Sequence, residues 1–222
     1  VTFQYSGKDN LDLMSLSVRY NSAIYEWLIK GLGPEASVLD FGAGKGEFCN
    51  RLLRYKIKAV ELDEDMHASI LCPAFRDVSS LTEKFDLIYS VNVLEHIDDD
   101  STTIKQFGEL LRPNGTIKIF VPARQELYSN MDRTVGHLRR YSMDSMKRLV
   151  SDNGFQIVSC RYFDFAGYFA SLLYKLMNRE SVFNAQTVLF YDRVIFPVSH
   201  FLDFITLGKV IGKNIILEAR KA

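Results

Sequence analysis

The sequence predicts an α/β fold, a mostly parallel sheet with helices on both faces. Three observations carry that expectation. Across residues 37–161 short apolar runs alternate with helix-like patterns, the order that parallel strands joined by crossover helices impose. The first run ends in the glycine-rich junction Gly42-Ala43-Gly44-Lys45-Gly46, where a strand turns sharply and its backbone can approach a ligand. The chain of 222 residues is 47% hydrophobic and 24% charged, enough to bury one core without disulfides or a structural metal.

The elements follow in order. Over residues 11–32, Leu13, Leu16, Tyr20, Ile24, Trp27 and Leu28 recur at the spacing of an amphipathic helix, and Gly31, Gly33 and Pro34 stop it. A strand is expected over 37–41, a helix from Glu47, strands over 59–62 and 86–91, a helix over 102–111, a strand over 116–121, a helix over 143–153 and a strand over 156–161. Residues 162–207 hold twelve aromatic residues without strand alternation and read as an aromatic-rich helical insertion. Two uses of it are open. Phe165, Phe169, Leu172, Leu173, Phe190, Ile195 and Phe201 form the buried stripes of two helices over the sheet, or they wall a site for a lipid-like or aromatic substrate. Residues 214–219 alternate as a final strand after the turn residues Gly208 and Gly212. The expected organisation is one domain over 1–222: a leading helix 11–32, a cofactor-binding core 37–161, the insertion 162–207 and a last strand 213–220.

Charge and cysteine usage narrow the function classes. With 27 Lys+Arg against 27 Asp+Glu there is no global field to steer the chain onto a polyanion, so nucleic acid is not an expected partner. Cys49, Cys72 and Cys160 are odd in number and show no C-x-x-C spacing, which predicts thiols in a reducing compartment rather than a disulfide framework or a zinc site. The polar stretch 1–10 carries no signal-peptide pattern, and charges such as Asp164, Asp192, Arg193 and Asp203 interrupt the most apolar runs. A cytoplasmic protein without a membrane span is therefore expected, with peripheral contact to a membrane surface left open. The oligomeric state is not specified.

The glycine junction separates three ligand classes. In a Walker loop the lysine is followed by Ser or Thr, whereas Lys45 is followed by Gly46. A dinucleotide fingerprint needs G-x-G-x-x-G, but the register from Gly42 puts Glu47 sixth, which disfavours a nucleotide-dependent oxidoreductase. Asp40, two residues before the first glycine, would repel a pyrophosphate and suits an ammonium or sulfonium. Glu61 follows twenty-one residues later at the end of the second strand, where an acid can accept both ribose hydroxyls.

The stretch Asp40-Phe41-Gly42-Ala43-Gly44-Lys45-Gly46 resembles motif I of the class I S-adenosylmethionine-dependent methyltransferases. The resemblance implies a Rossmann-like seven-stranded sheet, S-adenosylmethionine as cofactor and S-adenosylhomocysteine as product. It places Asp40, Gly42, Ala43, Gly44, Gly46, Glu61 and Leu62 around the cofactor, Asp77 and Val78 at its adenine, and Asn92 at the motif IV segment Val91-Asn92-Val93-Leu94-Glu95-His96-Ile97, beside the transferable methyl. For Asp77 the alternative is a loop acid that caps the next turn. No metal is expected, because Asp98, Asp99 and Asp100 read as the N-terminal cap of the helix behind them.

On the acceptor side, Val121-Pro122-Ala123, Leu127-Tyr128-Ser129-Asn130-Met131-Asp132 and Gly136-His137-Leu138-Arg139-Arg140-Tyr141-Ser142 are similar to a bacterial subgroup of that family, often encoded near or fused to glycosyltransferases. This segment implies His137, then His96, as acceptors of a substrate proton, and Arg139, Arg140, Tyr141 and Tyr128 as acceptor contacts. The alternative is that Asp132 pairs with an arginine and pins the loop. The expected activity is methyl transfer to a small-molecule, glycan or lipid-linked acceptor; the alternative is a non-catalytic S-adenosylmethionine-binding scaffold.

Overall fold

The computed structural model describes residues 8–177 and 184–221. The first residues of the polar N-terminal stretch and six positions inside the aromatic zone lie outside the described residues. Seven strands form one sheet: β1 (Ser37–Phe41), β2 (Lys56–Val60), β3 (Ala74–Phe75), β4 (Phe85–Val91), β5 (Leu111–Pro122), β6 (Phe155–Phe163) and β7 (Asn214–Lys221). Their order is β3-β2-β1-β4-β5-β7-β6. β7 runs antiparallel to both neighbours, and the other pairings are parallel. The predicted mostly parallel seven-stranded sheet, a Rossmann-like class I methyltransferase fold, is thus present. Its two-residue strand β3 has too few residues to show an alternation.

The helices are α1 (Lys8–Ser15), α2 (Val18–Ile29), α3 (Asp100–Leu110), α4 (Asn130–Thr134), α5 (Met143–Ser151), α6 (Phe165–Leu176), α7 (Ala185–Phe190) and α8 (Phe196–Ile205), with a π-helical turn Tyr191–Ile195 joining the last two. One face of the sheet buries Leu39, Ile88, Ile117 and Ile119 against Phe107 of α3 and Met146 and Val150 of α5. On the other face Val38, Ala59, Leu87 and Phe120 pack with Tyr20, Ile24 and Leu28 of α2 and Phe196 of α8. Alternation along β1 feeds both layers, with Val38 and Leu39 each fully buried. Lys118 of β5 is also buried: its Nζ donates to the carbonyls of Trp27 (2.9 Å), Leu28 (3.1 Å) and Lys30 (2.8 Å), closing the C-terminal end of α2. Such a lysine satisfies carbonyls that the last helical turn leaves open and meets the negative end of the helix dipole.

Three sequence expectations are corrected. The leading helix is two helices, broken between α1 and α2 where the Ser17 carbonyl accepts from Asn21 N (2.9 Å) and Asn21 Nδ2 donates to the Met14 carbonyl (3.1 Å). The break turns α1 back over the glycine junction, where Lys45 pairs with Asp12 at 2.6 Å. The helix expected from Glu47 is only a 3-10 turn, Cys49–Arg51, because β2 already begins at Lys56 and Asn50 is tied to Ser69 O and Leu71 N. The buried stripes of the aromatic zone are mostly outward: Phe169, Leu173, Phe190 and Phe201 are all more than half exposed.

The inward side of that zone carries buried acids beside the apolar Val188 and Phe196. Asp192 accepts from Arg19 N and Tyr20 N, Asp203 from Asp164 N and Phe165 N, and Asp164 from Gly167 N and Ser199 Oγ. These carboxylates cap helix starts and tie α6 and α8 to α2 and the sheet end, so hydrogen bonds hold this layer together with the packing of Phe196 on Tyr20 and Phe163.

Candidate functional site

The strand order reverses between β1 and β4, and in open α/β sheets the crevice outside the carboxyl ends of such strands is where ligands bind. Gly42, Gly44 and Gly46 all sit there with positive φ (+81°, +54° and +85°), a conformation that disfavours any side chain. A Cβ on Gly42 would lie 2.3 Å from Val93 Cγ2, and one on Gly46 would lie 2.6 Å from Asn50 Nδ2. The loop therefore needs glycine for close packing as well as for its turn. Gly42 N and Ala43 N both donate to the Val60 carbonyl, at 2.8 and 3.1 Å, which fastens the loop to the end of β2.

Glu61 leaves that same strand end. Its Oε2 accepts from Gly44 N at 2.7 Å and its Oε1 from Asp63 N at 3.0 Å, so the carboxylate spans the glycine loop and the next turn. Leu62 beside it is exposed. Asp40 departs from the expected exposed anion: it is 2% exposed, lies beside Tyr89 and Cys49, and has no hydrogen-bond partner at Oδ2. Burial pushes its pKa up to about 7, because the charged form loses its hydration there. Asp77 caps the 3-10 turn Val78–Ser80 through Ser79 N (2.8 Å), and hydrogen bonds from Ser79 hold its carboxyl below the usual range. Val78 packs on the core. Asn92, at the end of β4, takes a left-handed φ of +55° while its N–H donates to the Phe120 carbonyl.

Motif IV turns through a 3-10 segment, Leu94–His96, directly behind Val93. Glu95 is fully buried and neither of its carboxyl oxygens has a hydrogen-bond partner. Burial pushes its pKa up to about 8, with the Arg140 charge pulling the other way. His137 faces it: Nε2 lies 3.7 Å from Glu95 Oε1, while Nδ1 is 2.8 Å from Asp132 Oδ1. Hydrogen bonding to Asp132 assigns the ring proton to Nδ1 and leaves the Nε2 lone pair toward Glu95. His96 completes the group, its ring edge-on to His137 at 4.7 Å and its Nδ1 3.2 Å from the Gly136 carbonyl. Burial, and then the His137 charge, push the His96 pKa down to about 4, so this imidazole is neutral at pH 7.

Glu95, His96 and His137 each bring a metal-ligating atom within 4.8 Å of the others. Ligands on one zinc-type ion, with bonds of about 2.0–2.1 Å, sit roughly 3.3 Å apart, and His137 Nε2 and Glu95 Oε1 lie 3.7 Å apart. Asp98, Asp99 and Asp100 serve other ends. Asp99 caps α3 through Thr102 N at 2.9 Å, while Asp98 and Asp100 meet Arg139.

The acceptor-side residues take the arrangement given above as the alternative, in which Asp132 pairs with an arginine and pins the loop. Arg140 donates from Nε and Nη2 to Asp132 (2.8 and 3.1 Å) and from Nη1 to the Ala123 carbonyl (3.2 Å). Arg139 reaches Asp100 Oδ2 at 3.2 Å and the Asp98 carbonyl at 3.0 Å. Both guanidinium groups are thus spent inside the loop. Tyr141 is buried and donates to Asp100 Oδ2 (2.7 Å), and Tyr128 Oη donates to the His137 carbonyl (2.7 Å). At Asp132 burial raises the pKa, but hydrogen bonds from His137 and Arg140 and the arginine charge outweigh it and hold the carboxyl ionised, well below its usual range. Arg140, through Asp132, and Tyr128, at the backbone carbonyl, hold His137 in place, while Arg139 and Tyr141 meet on Asp100. Glu95 is the functional candidate that residue-by-residue reading passed over; an acid inside an apolar motif, Leu94-Glu95-His96-Ile97, was the available signal.

Comparison with known proteins follows this geometry. A family model described as a methyltransferase domain matches residues 18–160. A trans-aconitate 2-methyltransferase of Deinococcus radiodurans is 32% identical over 104 residues, 42% of this chain and 40% of that protein. The chain spans about two-fifths of the length of the curated relatives it matches. Among solved structures, phosphoethanolamine N-methyltransferase 2 of Haemonchus contortus, in complex with S-adenosyl-L-methionine, superimposes with a TM-score of 0.62 at 15% identity, over 94% of this chain and 56% of that one. A cyclopropane synthase of Mycobacterium tuberculosis gives 0.60 at 13% identity, over 90% of this chain and 84% of that one. At these identities the two structures show the shared fold.

Proposed function

This chain belongs to the methyltransferase-domain family, matched over residues 18–160, and from that membership we propose that it moves a methyl group from S-adenosylmethionine to a small-molecule, glycan or lipid-linked acceptor. One observation carries the reading: three positive-φ glycines line the switch point, two of them, Gly42 and Gly46, with no room for a Cβ, and Glu61 is drawn to within 2.7 Å of Gly44 N. These residues fit the cofactor. The glycines let backbone come close to it, Glu61 supplies acceptors for ribose hydroxyls, and the buried Asp40 carboxyl stands ready to ionise near a cation. Ala43, Leu62, Asp77, Val78 and Asn92 lie on the neighbouring strand ends and complete the set assigned to it.

The bound sulfonium supplies an activated methyl, so holding the two reactants in line accounts for much of the rate, up to roughly 7–11 kcal/mol. The chain's remaining task is the acceptor's proton. His137 Nε2 accepts it, and the imidazolium so formed is held by Asp132, already ionised at Nδ1. His96, neutral at pH 7, is the second candidate for the same task.

The test is calorimetric titration of the full chain with S-adenosylmethionine, S-adenosylhomocysteine, NADH and ATP. Micromolar binding of the two sulfur ligands alone is the expected result. A folded protein that binds neither overturns the reading and leaves the scaffold alternative without its cofactor as well.

A further inference from the structure

The aromatic zone inverts the usual amphipathic arrangement. Residues 185–205 run as one continuous helix through α7, the π turn and α8. Along it Phe190, Val194, Val198, Phe201 and Ile205 recur at helical spacing, and each is between 51% and 61% exposed. A second stripe, Phe169, Leu173 and Leu176, rises on α6, which packs against α8. The charged residues sort the opposite way. Among the described residues of the zone every acid is buried: Asp164, Asp192 and Asp203, at 1–3% exposed, are committed to helix caps. The exposed charges of the zone's described residues are Lys175 and Arg193, both basic, and the exposed Lys209 follows just past its end.

We propose that this face docks on an anionic lipid bilayer, lying in the interface with its two apolar stripes among the acyl chains and its lysines and arginine among the headgroups. Two physical facts favour lipid over other occupants. Apolar residues exposed in continuous stripes mark a surface meant to leave water, and an interfacial helix combines such a stripe with basic residues and no outward acid. Continuity with α2 extends the basic side, since Arg19 Nη1 donates to the Arg193 carbonyl and is itself exposed. None of the described helices is long and apolar enough to cross a membrane, so the contact is peripheral. The face also adjoins the acceptor loop, because Lys175 Nζ donates to the Glu126 carbonyl at 2.7 Å. Docking there would present the crevice to a lipid-linked acceptor, although the docking itself stands without the methyl-transfer reading.

The experiment is co-sedimentation of the full chain with vesicles of phosphatidylcholine containing phosphatidylglycerol, against phosphatidylcholine vesicles alone. The expected result is pelleting with the mixed vesicles and binding at least about tenfold weaker to the neutral ones. Phe190→Asp with Phe201→Asp should abolish pelleting while the thermal unfolding midpoint stays near that of the wild type. Should that variant misfold, Arg193→Glu with Lys209→Glu should weaken binding to the mixed vesicles by about tenfold or more. Equal binding to both vesicles, or no binding by a protein that sediments as a monomer, overturns the proposal. So does a wild-type dimer that Phe201→Asp dissociates, which would make the face a contact between copies of this chain. Cofactor titration is a separate readout, so failure at the membrane leaves the functional reading untouched.

Discussion

At the scale of single residues, the proposed proton transfer rests on how one imidazole is held. His137 has Asp132 on one nitrogen and the buried Glu95 carboxyl 3.7 Å from the other. His137→Asn keeps a polar side chain but removes the proton acceptor. Methyl transfer from labelled S-adenosylmethionine into a lipid and glycan extract should fall roughly a hundredfold, with S-adenosylhomocysteine affinity unchanged; loss of both together would place His137 in the cofactor site. Because the group is read as proton-handling, chelation by EDTA should leave wild-type turnover as it was. A turnover that chelation abolishes and zinc restores would reassign Glu95, His96 and His137 as ligands.

At the scale of elements, the segment between β5 and α5 is a loop braced from within. Arg140, with a side chain 8% exposed, is bonded to Asp132 and to the Ala123 carbonyl, and Ala123 bridges to Tyr141. Truncation at Arg140 strands a buried carboxylate, a loss that costs about 3–5 kcal/mol when one partner of a buried pair is removed. Arg140→Ala should therefore lower the denaturation midpoint as well as turnover. Arg139→Ala should cost about 1 kcal/mol or less, since that pair is partly exposed. Equal, small effects of the two would show that the arginines contact the acceptor rather than the frame.

For the whole molecule, burial has raised four carboxyls: Asp40 to about 7, Glu95 to about 8, Asp203 to about 6, and Glu47 as well. Each folded-state value lies above the unfolded one, so the folded chain holds more protons across this range and stability falls as pH rises from about 4 to about 8. Asp132 works in the opposite sense, its contribution being present above the ordinary carboxylate range and lost on acidification. Urea unfolding at about pH 5 should give a larger free energy than at about pH 8.5, by on the order of 5 kcal/mol. Glu95→Gln should remove the part of that slope lying nearest pH 8. A flat profile would mean that these carboxyls reach water.

What the residues determined by themselves is local. A strand closed by Gly42, Gly44 and Gly46 and an acid at the next strand end are written in nearby positions, because backbone sterics act over a few residues. The α/β class follows from the alternation of strand and helix patterns. The first helix after β1 escaped that logic, since the number of residues before β2 decides whether a helix has room to form. Only tertiary structure decided where side chains that are distant in sequence meet. It set Glu95 and His96 against His137, closed Arg139 and Arg140 onto Asp100 and Asp132, and turned the aromatic stripes outward over a layer of buried acids. An apolar stripe reads the same whether it faces a core or a membrane; its direction is chosen by the hydrogen bonds that the opposite face can make, and those partners lie elsewhere in the chain.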